Sequence, residues 1–237
     1  MKEKTVKKIL ESTLDLYNKI ADDFYQTRKK PWPIIDLIKS HINKANNIVD
    51  LGCGSGRLSE LVSDNQNYLG LDNSASLIKI AQNNYSNRKN INFQVLDIIN
   101  NELPNKKFDL ALMIAVIHHL PTKELRLKIL NNIKESLTDD GLLIITSWNL
   151  WQKDYRRHLF NYRLKITKYK IFSFNDAFIP WQQNQSRYVH SFSKGELKKL
   201  LKKAGFEVKE VFYEYRGEKT SRFKGKNLIV IAEKINQ

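Results

Sequence analysis

A glycine-rich loop that begins with an aspartate is the first feature of the sequence whose residue types could do chemistry. Its glycines are Gly52, Gly54 and Gly56, and Asp50 precedes them. Glycines let a backbone approach a ligand closely, but their spacing here departs from G-x-G-x-x-G, the dinucleotide-binding fingerprint. A carboxylate in such a loop would repel a pyrophosphate, whereas it suits a ligand that carries an ammonium and a sulfonium group. The loop therefore predicts a site for a cationic ligand.

Two further aspartates follow apolar runs that have the pattern of strands. Asp72 follows Tyr68–Leu71, and at a strand end its carboxylate can accept hydrogen bonds from two ribose hydroxyls. Asp97 follows Ile91–Leu96 and could accept a hydrogen bond from the exocyclic amine of an adenine. Each has a purely structural alternative, Asp72 as a helix cap and Asp97 as a solvated strand end. Both aspartates, like the glycine loop, directly follow a predicted strand. This shared position favours ligand binding over the structural alternatives.

Two histidines and an arginine are candidates for the reacting end of the site. His118 and His119 follow the apolar run Phe108–Ile114, and either could donate a hydrogen bond to a substrate oxygen. Arg28 could hold a carboxylate in a bidentate pair, or it could be a solvated member of a basic run. Because Cys53 is the single cysteine and the nearby carboxylates are assigned to the ligand, we expect no metal site.

Strand and helix patterns that alternate from residue 47 onward would position these side chains. The apolar runs that indicate strands are Ile48–Leu51, Tyr68–Leu71, Ile91–Leu96, Phe108–Ile114 and Gly141–Thr146. Helical periods are present in Leu58–Val62, Ala75–Gln82, Lys123–Leu137 and Gly195–Ala204, and Phe206–Tyr215 with Asn227–Glu233 predicts a closing β-hairpin. The alternation predicts an α/β fold with a doubly wound, mostly parallel sheet, whose ligands bind beyond the carboxyl ends of the strands.

Two segments lie outside this alternation. Residues 1–45 have a helical period interrupted at Pro31-Trp32-Pro33, and we expect them to form a helical lid or substrate-binding segment. Residues 46–237 would then form the ligand-binding domain. Residues 148–192 break the alternation with many aromatic and basic residues, which predicts an insertion into that domain.

The charge of the chain is unevenly distributed. The net charge of the 237 residues is +15, and residues 151–237 contribute 20 Lys and Arg against 8 Asp and Glu, or +12. Clustered cations favour a polyanionic partner, although a lysine-rich composition that only keeps the protein in solution would give the same count. The longest apolar run, Leu110–Ile117, is too short to span a bilayer, and the first residues lack the pattern of a secretory signal. We therefore expect a cytoplasmic protein without a membrane helix.

The motifs at Asp50–Gly56, at Asp72 and at Val95–Ile98 together resemble those of the class I S-adenosylmethionine-dependent methyltransferases. The resemblance covers about residues 46–147 and 193–237. It implies a Rossmann-like fold with a seven-stranded sheet whose final strand is antiparallel, and S-adenosyl-L-methionine as the cofactor. The residues expected to bind that cofactor are Tyr17, Asp50, Gly52, Gly54, Gly56, Asp72, Asn73, Asp97, Ile98 and Ala115.

Four further segments resemble a narrower family. They are Tyr17–Pro33, Ile114–Leu120, Asp176–Trp181 and Arg187–Leu197. They are similar to the tRNA wobble-uridine carboxymethyl methyltransferases, which include the methyltransferase domain of the large AlkB-type tRNA hydroxylase. The resemblance implies methylation of the carboxylate of 5-carboxymethyluridine to its methyl ester, and the eukaryotic members work with a small zinc-binding activator protein. The sequence departs from the family at Lys226–Leu228, where the family has an aromatic residue after Asn.

This resemblance assigns roles to particular residues. We expect His118, His119 and Arg28 to be catalytic, chiefly by positioning, because a carboxylate with a pKa near 4 is already ionised and needs no strong base. The expected substrate contacts are Trp32, Arg156, Arg157, Trp181, Arg187 and His190. The other basic residues of the insertion, Arg163, Lys165, Lys168 and Lys170, would join Arg156 and Arg157 in contacting the anticodon stem, unless they form a solvated face.

Two other functions fit the same motifs. The chain could be a small-molecule methyltransferase of this fold, with a basic surface that is only compositional. It could also be a non-catalytic RNA-binding or activating protein that keeps the fold. The intact Asp50–Gly56 loop and Asp72 disfavour the non-catalytic alternative.

Overall fold

The predicted apolar runs form one mixed sheet at the centre of the molecule. The computed structural model describes residues 1–28, 32–105, 107–159, 173–181 and 185–235. The strands of the main sheet are β1 (Asn47–Leu51), β2 (Asn67–Asp72), β3 (Ile91–Val95), β4 (Phe108–Ile114), β5 (Leu137–Trp148), β8 (Phe206–Tyr215), β9 (Glu218–Thr220) and β10 (Asn227–Lys234). They lie in the order β3-β2-β1-β4-β5-β10-β8-β9. Strands β1 to β5 are mutually parallel, and β10 is antiparallel to both of its neighbours.

The sheet has eight strands rather than the expected seven. The additional strand is β9, which pairs with the end of β8 from Tyr213 to Tyr215. It is three residues long and follows a tight turn at Arg216 and Gly217, both of which have positive φ angles. A strand of three residues carries no apolar pattern of its own and is therefore not predictable from the sequence.

Helices cover both faces of the sheet. They are α1 (Glu3–Lys19), α2 (Ala21–Thr27), α3 (Ile35–Ile42), α4 (Ala75–Asn84), α5 (Lys123–Ser136) and α6 (Lys194–Lys203). On one face, Ile38 of α3 and Ile78 of α4 pack in the same buried cluster as Ile48 of β1. On the other face, Val49 of β1 packs with residues of α5 and α6. Adjacent residues of β1 thus point to opposite cores, as expected for a strand that is buried on both sides.

The helix predicted at Leu58–Val62 is a short 3₁₀ helix, Arg57–Leu61. Gly56 before it has a φ of 82°, and Val62 after it is already extended. The hydroxyl of Ser59 donates to the Gly56 carbonyl oxygen at 2.7 Å, which tightens the turn. A segment held at both ends in this way has no room for a longer α-helix.

The helical period predicted for residues 1–45 is present, but α3 packs in the main core. Ile34, Ile38 and Ile42 are fully buried, and Ile38 and Ile42 lie against the sheet. Helices α1 and α2 instead contact α4, and α1 also contacts the insertion. Helix α3, the last part of this segment, therefore belongs to the core of the sheet domain, whereas α1 and α2 do not pack on the sheet in this way.

The insertion contributes a β-hairpin that the sequence did not indicate. Its strands are β6 (Asp176–Trp181) and β7 (Gln185–His190), which pair antiparallel as a separate two-stranded sheet. Strand β7 contacts both α1 and the 3₁₀ turn Ile117–His119 that follows β4. Across the described part of the chain, no helix has the length and apolar character needed to cross a bilayer.

Candidate active site

A cavity of about 930 Å³ lies beyond the carboxyl ends of the parallel strands. Each of β1 to β5 contributes lining residues from its end or from the loop after it, including Asp50, Asp72, Asp97, Ala115 and Trp148. Helix α1 and the hairpin strand β7 supply the opposite wall through Tyr17 and Arg187, respectively. This is the position in which open α/β sheets bind their ligands.

The glycine loop folds back onto the end of β2. The amide N–H groups of Gly52 and Cys53 donate to the Leu71 carbonyl oxygen at 2.7 and 3.1 Å. The Gly54 N–H donates to Asp72 Oδ2 at 2.9 Å. Gly52 has a φ of 74°, and a Cβ added to it would collide with the Val116 side chain. Glycine is therefore required there on both conformational and steric grounds.

Asp72 is held by backbone donors, and Asp97 is held by a backbone donor and a side-chain donor. Asp72 Oδ1 accepts from the Ser74 N–H at 2.9 Å, in addition to the bond from Gly54 to Oδ2. Asp97 accepts from the Ile99 N–H at 2.9 Å and from Asn100 Nδ2 at 2.7 Å. Both carboxylates are thus fixed in place at the cavity wall. Each oxygen keeps a further lone pair with which to accept from a ligand.

Asp50 has a buried acceptor atom that suits a cationic donor. Its side chain is 1% exposed, and Oδ2 accepts from the Tyr68 hydroxyl at 2.6 Å. Oδ1 is buried and has no hydrogen-bond partner within the described residues. Burial raises the pKa of Asp50 to about 7. An ammonium group placed against Oδ1 would satisfy this atom and favour the ionised carboxylate, so the residues present fit the cofactor expected from the motifs.

Three arginines line the same cavity. The guanidinium carbons of Arg28, Arg57 and Arg187 lie 4.4, 4.6 and 4.1 Å from the ring centroids of Phe24, Trp32 and Trp148, respectively. Burial and the charge of Arg187 lower the pKa of Arg28. Burial, followed by the charge of Arg28, lowers the pKa of Arg57 to about 10. Arg28 is thus repelled by both Arg57 and Arg187, and an anionic ligand would relieve that repulsion.

His119 belongs to a chain of hydrogen bonds that fixes its tautomer. Its Nδ1 lies 2.8 Å from the Tyr188 carbonyl oxygen, which can only accept, so Nδ1 carries the proton. Its Nε2 therefore accepts from the Tyr17 hydroxyl at 3.1 Å, and that hydroxyl oxygen accepts from Arg187 Nη1 at 3.2 Å. Burial lowers the pKa of His119 to about 3. The imidazole is neutral, and both of its nitrogens are already occupied.

His118 has the opposite tautomer and a ring nitrogen that remains available. The Trp148 amide N–H donates to its Nδ1 at 3.4 Å, so the proton lies on Nε2. That nitrogen is buried and has no hydrogen-bond partner in the described ranges. The ring is fully buried and stacks on Trp148 with centroids 5.6 Å apart. Burial lowers the pKa of His118 well below its usual range, so His118 is a neutral imidazole among the lining residues, with one N–H group that no described residue satisfies.

Most of the predicted cofactor residues are brought together here. Those that line the cavity are Tyr17, Asp50, Gly52, Gly54, Asp72, Asn73, Asp97, Ile98 and Ala115. Gly56 is not among the lining residues. Its φ of 82° turns the loop, and a Cβ there would lie 2.6 Å from Phe93 Cζ, so it permits close packing behind the loop. Ala115 also has a positive φ of 60°, an uncommon conformation for a residue with a side chain.

Only some of the predicted catalytic and substrate residues line the cavity. Arg28, Trp32, His118, His119 and Arg187 line the cavity. Arg156 and Arg157 are exposed and lie next in sequence to the lining residues Asp154 and Tyr155. Arg163, Lys165, Lys168 and Lys170 fall outside the described residues, as does the side chain of Trp181.

His190 differs most from its predicted role. It is 3% exposed and is not among the lining residues of the cavity. Its Nδ1 lies 2.6 Å from Asp176 Oδ1, and its Nε2 lies 2.7 Å from Glu196 Oε1. With both ring nitrogens engaged by carboxylates, it links the hairpin to α6 rather than facing a substrate.

Arg57 and Trp148 are two of the lining residues that were not predicted from the sequence. Arg57 follows the glycine loop directly, and its sequence position next to the motif was an available signal. Trp148 is the last residue of β5. Its contact with Arg187 depends on the position of the hairpin β6–β7 and cannot be predicted from the sequence. Among the described residues, no group of three or more His, Cys, Asp or Glu side chains is placed to hold a metal ion.

The fold, the glycine loop and the three strand-end aspartates define the class I S-adenosylmethionine-dependent methyltransferases. Comparison with known families agrees with this class. The chain belongs to the family described as the methyltransferase domain, whose sequence model matches residues 24–211.

Two curated relatives are fungal enzymes. The tRNA (carboxymethyluridine(34)-5-O)-methyltransferase of Schizosaccharomyces pombe is 29% identical over an alignment of 222 positions that covers 84% of this chain and 90% of that protein. The protein of the same name from Saccharomyces cerevisiae is 32% identical over 172 residues, which are 73% of this chain and 57% of that protein.

Solved structures share the fold at low sequence identity. A SAM-dependent methyltransferase from Methanosarcina mazei superposes with a TM-score of 0.69 at 22% identity, covering 85% of this chain and 98% of that one. A Haloferax volcanii complex between the Trm112 methyltransferase activator and a methyltransferase gives a TM-score of 0.65 at 14% identity, covering 94% and 97%. At these identities the similarity establishes the fold.

Proposed function

We propose that this chain transfers a methyl group from S-adenosylmethionine to the carboxylate of a 5-carboxymethyl group on the wobble uridine of a tRNA. The observation that carries the proposal is the division of charge in the cavity. Asp50 and Asp72 lie at the ends of β1 and β2, whereas Arg187 and the two histidines gather at the ends of β4 and β5. The two aspartates therefore suit the cationic groups of the cofactor and Arg187 suits an anionic acceptor, while Arg57 and Arg28 lie near the glycine loop on the aspartate side.

The acceptor side has the groups that a carboxylate nucleophile needs. A carboxylate is ionised at neutral pH and requires alignment rather than deprotonation. Neither histidine has the properties of a strong base, because burial lowers the pKa of both. Arg28 and Arg187 would orient the carboxylate, and His118 Nε2 would donate to a second substrate oxygen. When bound, the cofactor supplies an electrophilic methyl group on its sulfonium sulfur.

His119 would act as a positioning residue. Its two hydrogen bonds connect Tyr17 of α1 with the Tyr188 carbonyl of β7, and Arg187 donates to the same Tyr17 hydroxyl. The chain of bonds would hold the Arg187 guanidinium in one orientation. His118 and His119, although adjacent, would thus have different tasks in the reaction.

The tRNA substrate is supported by the names of the two fungal relatives and by the net charge of +15. Basic proteins gain affinity for nucleic acids by displacing counterions from phosphates. We further propose a small activator protein of the Trm112 type as a partner, which the Haloferax complex supports. We also propose the cytoplasm as the place of action.

The first experiment combines the purified protein with methyl-labelled S-adenosylmethionine and tRNA from cells that lack this enzyme, with and without a Trm112-type activator. Mild alkali is then added to the product. We expect label to enter tRNA and to leave as volatile methanol, because methyl esters hydrolyse under these conditions. Alkali-stable label would indicate base or ribose methylation and would contradict the carboxylate acceptor. No incorporation even with the activator would favour a small-molecule methyltransferase.

The same assay tests the assignment of the histidines. His118→Ala removes the N–H donor, so we expect kcat to fall roughly 10²-fold, the range for loss of one positioned donor, with cofactor binding retained. His118→Asn, which keeps an N–H donor, should recover part of the loss. If His118→Ala had wild-type kcat, His118 would have no role in the reaction. Asp72→Ala is the control, because it should abolish cofactor binding itself.

A further inference from the structure

The connection between β8 and β10, residues 216–226, contains the short strand β9, is basic and carries an exposed aromatic side chain; it is called the basic loop below. Its basic residues are Arg216, Lys219, Arg222, Lys224 and Lys226, against the single acidic residue Glu218. Phe223, near the middle of this run, is 64% exposed. Single exposed apolar residues are common on protein surfaces and do not by themselves indicate a function.

The basic loop borders the candidate active site. Lys226, its last residue, lines the cavity together with Asn227 at the start of β10. At its other end, the backbone of Gly217 packs so closely against Pro33 that a Cβ would lie 3.1 Å from the Pro33 carbonyl oxygen. Pro33 follows Trp32, which also lines the cavity. A chain leaving the cavity on this side would therefore pass the basic loop.

Buried groups hold the loop in one conformation. Asn149 is fully buried, and its Nδ2 donates to the carbonyl oxygens of Arg222 and Gly225 at 2.6 and 2.7 Å. Its own N–H donates to the Lys226 carbonyl oxygen at 3.0 Å. The bonded carbonyls flank Phe223 and Lys224, so these two side chains are presented from an anchored backbone. A pre-ordered aromatic ring costs less conformational entropy on binding than a mobile one.

We infer that the basic loop binds the single-stranded RNA next to the reacting nucleotide, with a base stacked on Phe223 and phosphates against Lys224 and Lys226. The inference rests on the proposed function and extends it to a surface outside the cavity. Unpaired bases stack on aromatic side chains with little regard to sequence, and adjacent cations follow the backbone. An anticodon loop, in which the wobble nucleotide has unpaired neighbours, presents this combination.

The test measures the Kd of a synthetic anticodon stem-loop RNA and of hypomodified tRNA for the wild type, Phe223→Ala and Phe223→Leu. Loss of one stacked base weakens binding by roughly tenfold, and we expect this for alanine. Leucine keeps apolar area but has no aromatic face, so it should resemble alanine. Phe174→Ala is the matched control, because Phe174 is 71% exposed but lies just before β6, outside the basic loop.

The lysines are tested through salt dependence. In Lys224→Ala and Lys226→Ala, the slope of log K against log salt should become shallower by about 0.7 for each lysine, as expected for one lost single-strand phosphate contact. Lys198→Ala and Lys199→Ala, on the exposed face of α6, serve as controls and should keep the wild-type slope.

The two proposals fail in distinguishable ways. If the wild type binds and methylates tRNA while Phe223→Ala binds with unchanged Kd, the basic loop is not an RNA surface and the proposed function stands. If the wild type neither binds nor methylates tRNA with the activator present, the proposed function is wrong and this inference is overturned with it. Unchanged cofactor binding and thermal midpoint in each variant would exclude misfolding as the cause of a weaker Kd.

Discussion

At the scale of single residues, Asp50 is the group whose protonation a ligand should change most. Burial raises its pKa to about 7, and its Oδ1 has no hydrogen-bond partner among the described residues. A cationic ligand binds the ionised form, so below pH 7 binding must first remove a proton. We expect the affinity for S-adenosylmethionine to be about tenfold weaker at pH 6 than at pH 8. Calorimetric titrations across this range would measure it.

Asp50→Asn is the control for this pH dependence. It removes the titrating group, so the remaining affinity should vary little between pH 6 and pH 8.

In the protein without ligand, the raised pKa of Asp50 means that the folded state keeps a proton that the unfolded state has released. The contribution of Asp50 to the free energy of unfolding therefore falls as pH rises from 3.8 to about 7. An affinity of the wild type that did not change with pH would show that Asp50 does not contact the cation.

The sequence could predict the aspartates of the site but not the division of work between the histidines. Asp50, Asp72 and Asp97 each stand at a strand end, where the backbone pattern alone fixes their position. The tautomer of His119 depends on Tyr17 and Tyr188, which are 102 and 69 residues away in the chain. Such distant partners follow from the tertiary fold and leave no local pattern.

At the scale of elements, the hairpin β6–β7 is attached by a buried network around His190. His190 lies between Asp176 of β6 and Glu196 of α6, at 2.6 and 2.7 Å. Leaving the buried Asp176 carboxylate without this hydrogen-bond partner costs about 1–3 kcal/mol, so His190→Ala should lower the free energy of unfolding by that amount. Urea denaturation would measure it. Ser186→Ala, at an exposed position of the same strand, should change the free energy of unfolding by less than about 0.5 kcal/mol.

Loss of this network should also reach the active site. Arg187 and Tyr188 belong to the same strand as His190, and both take part in the hydrogen bonds that hold Tyr17 and His119. We therefore expect His190→Ala to lower kcat although His190 does not line the cavity. A variant with reduced stability but wild-type kcat would show that the hairpin keeps its position without the network.

Elements of regular pattern were predictable, whereas those set by tertiary contacts were not. The strand Phe108–Ile114 and the starts of α4 and α5 were predicted at their observed residues from the apolar runs and helical periods alone. The hairpin of the insertion was missed, since its strands mix aromatic, basic and polar residues without a clean alternation. The position of this hairpin depends on the contacts of β7 with α1 and with the 3₁₀ turn after β4.

At the scale of the whole molecule, ligand binding and folding are coupled through the cavity. Its walls come from α1, from the ends of the central strands and from β7, so a ligand that fills it contacts elements from most of the chain. A ligand at 100 times its Kd stabilises the folded state by about 2.7 kcal/mol. For a chain of this size, the thermal midpoint should rise by roughly 5–10 °C.

Thermal unfolding with and without S-adenosylhomocysteine, the product form of the cofactor, would measure this shift. We expect one transition that moves as a whole, because the binding elements share the cores on both faces of the sheet. Asp72→Asn is the control and should show little shift at the same concentration. A shift confined to one of two separate transitions would mean that the segment with α1 unfolds independently.

The hydrogen bond between Arg187 and Tyr17 joins residues that are 170 positions apart. During synthesis the ribosome therefore releases α1 long before its partner on β7 exists. At roughly 5–20 residues per second, the delay is about 10–30 s. For that interval the wall of the cavity is missing, and a nascent chain among the tRNAs of the translating ribosome cannot act on them.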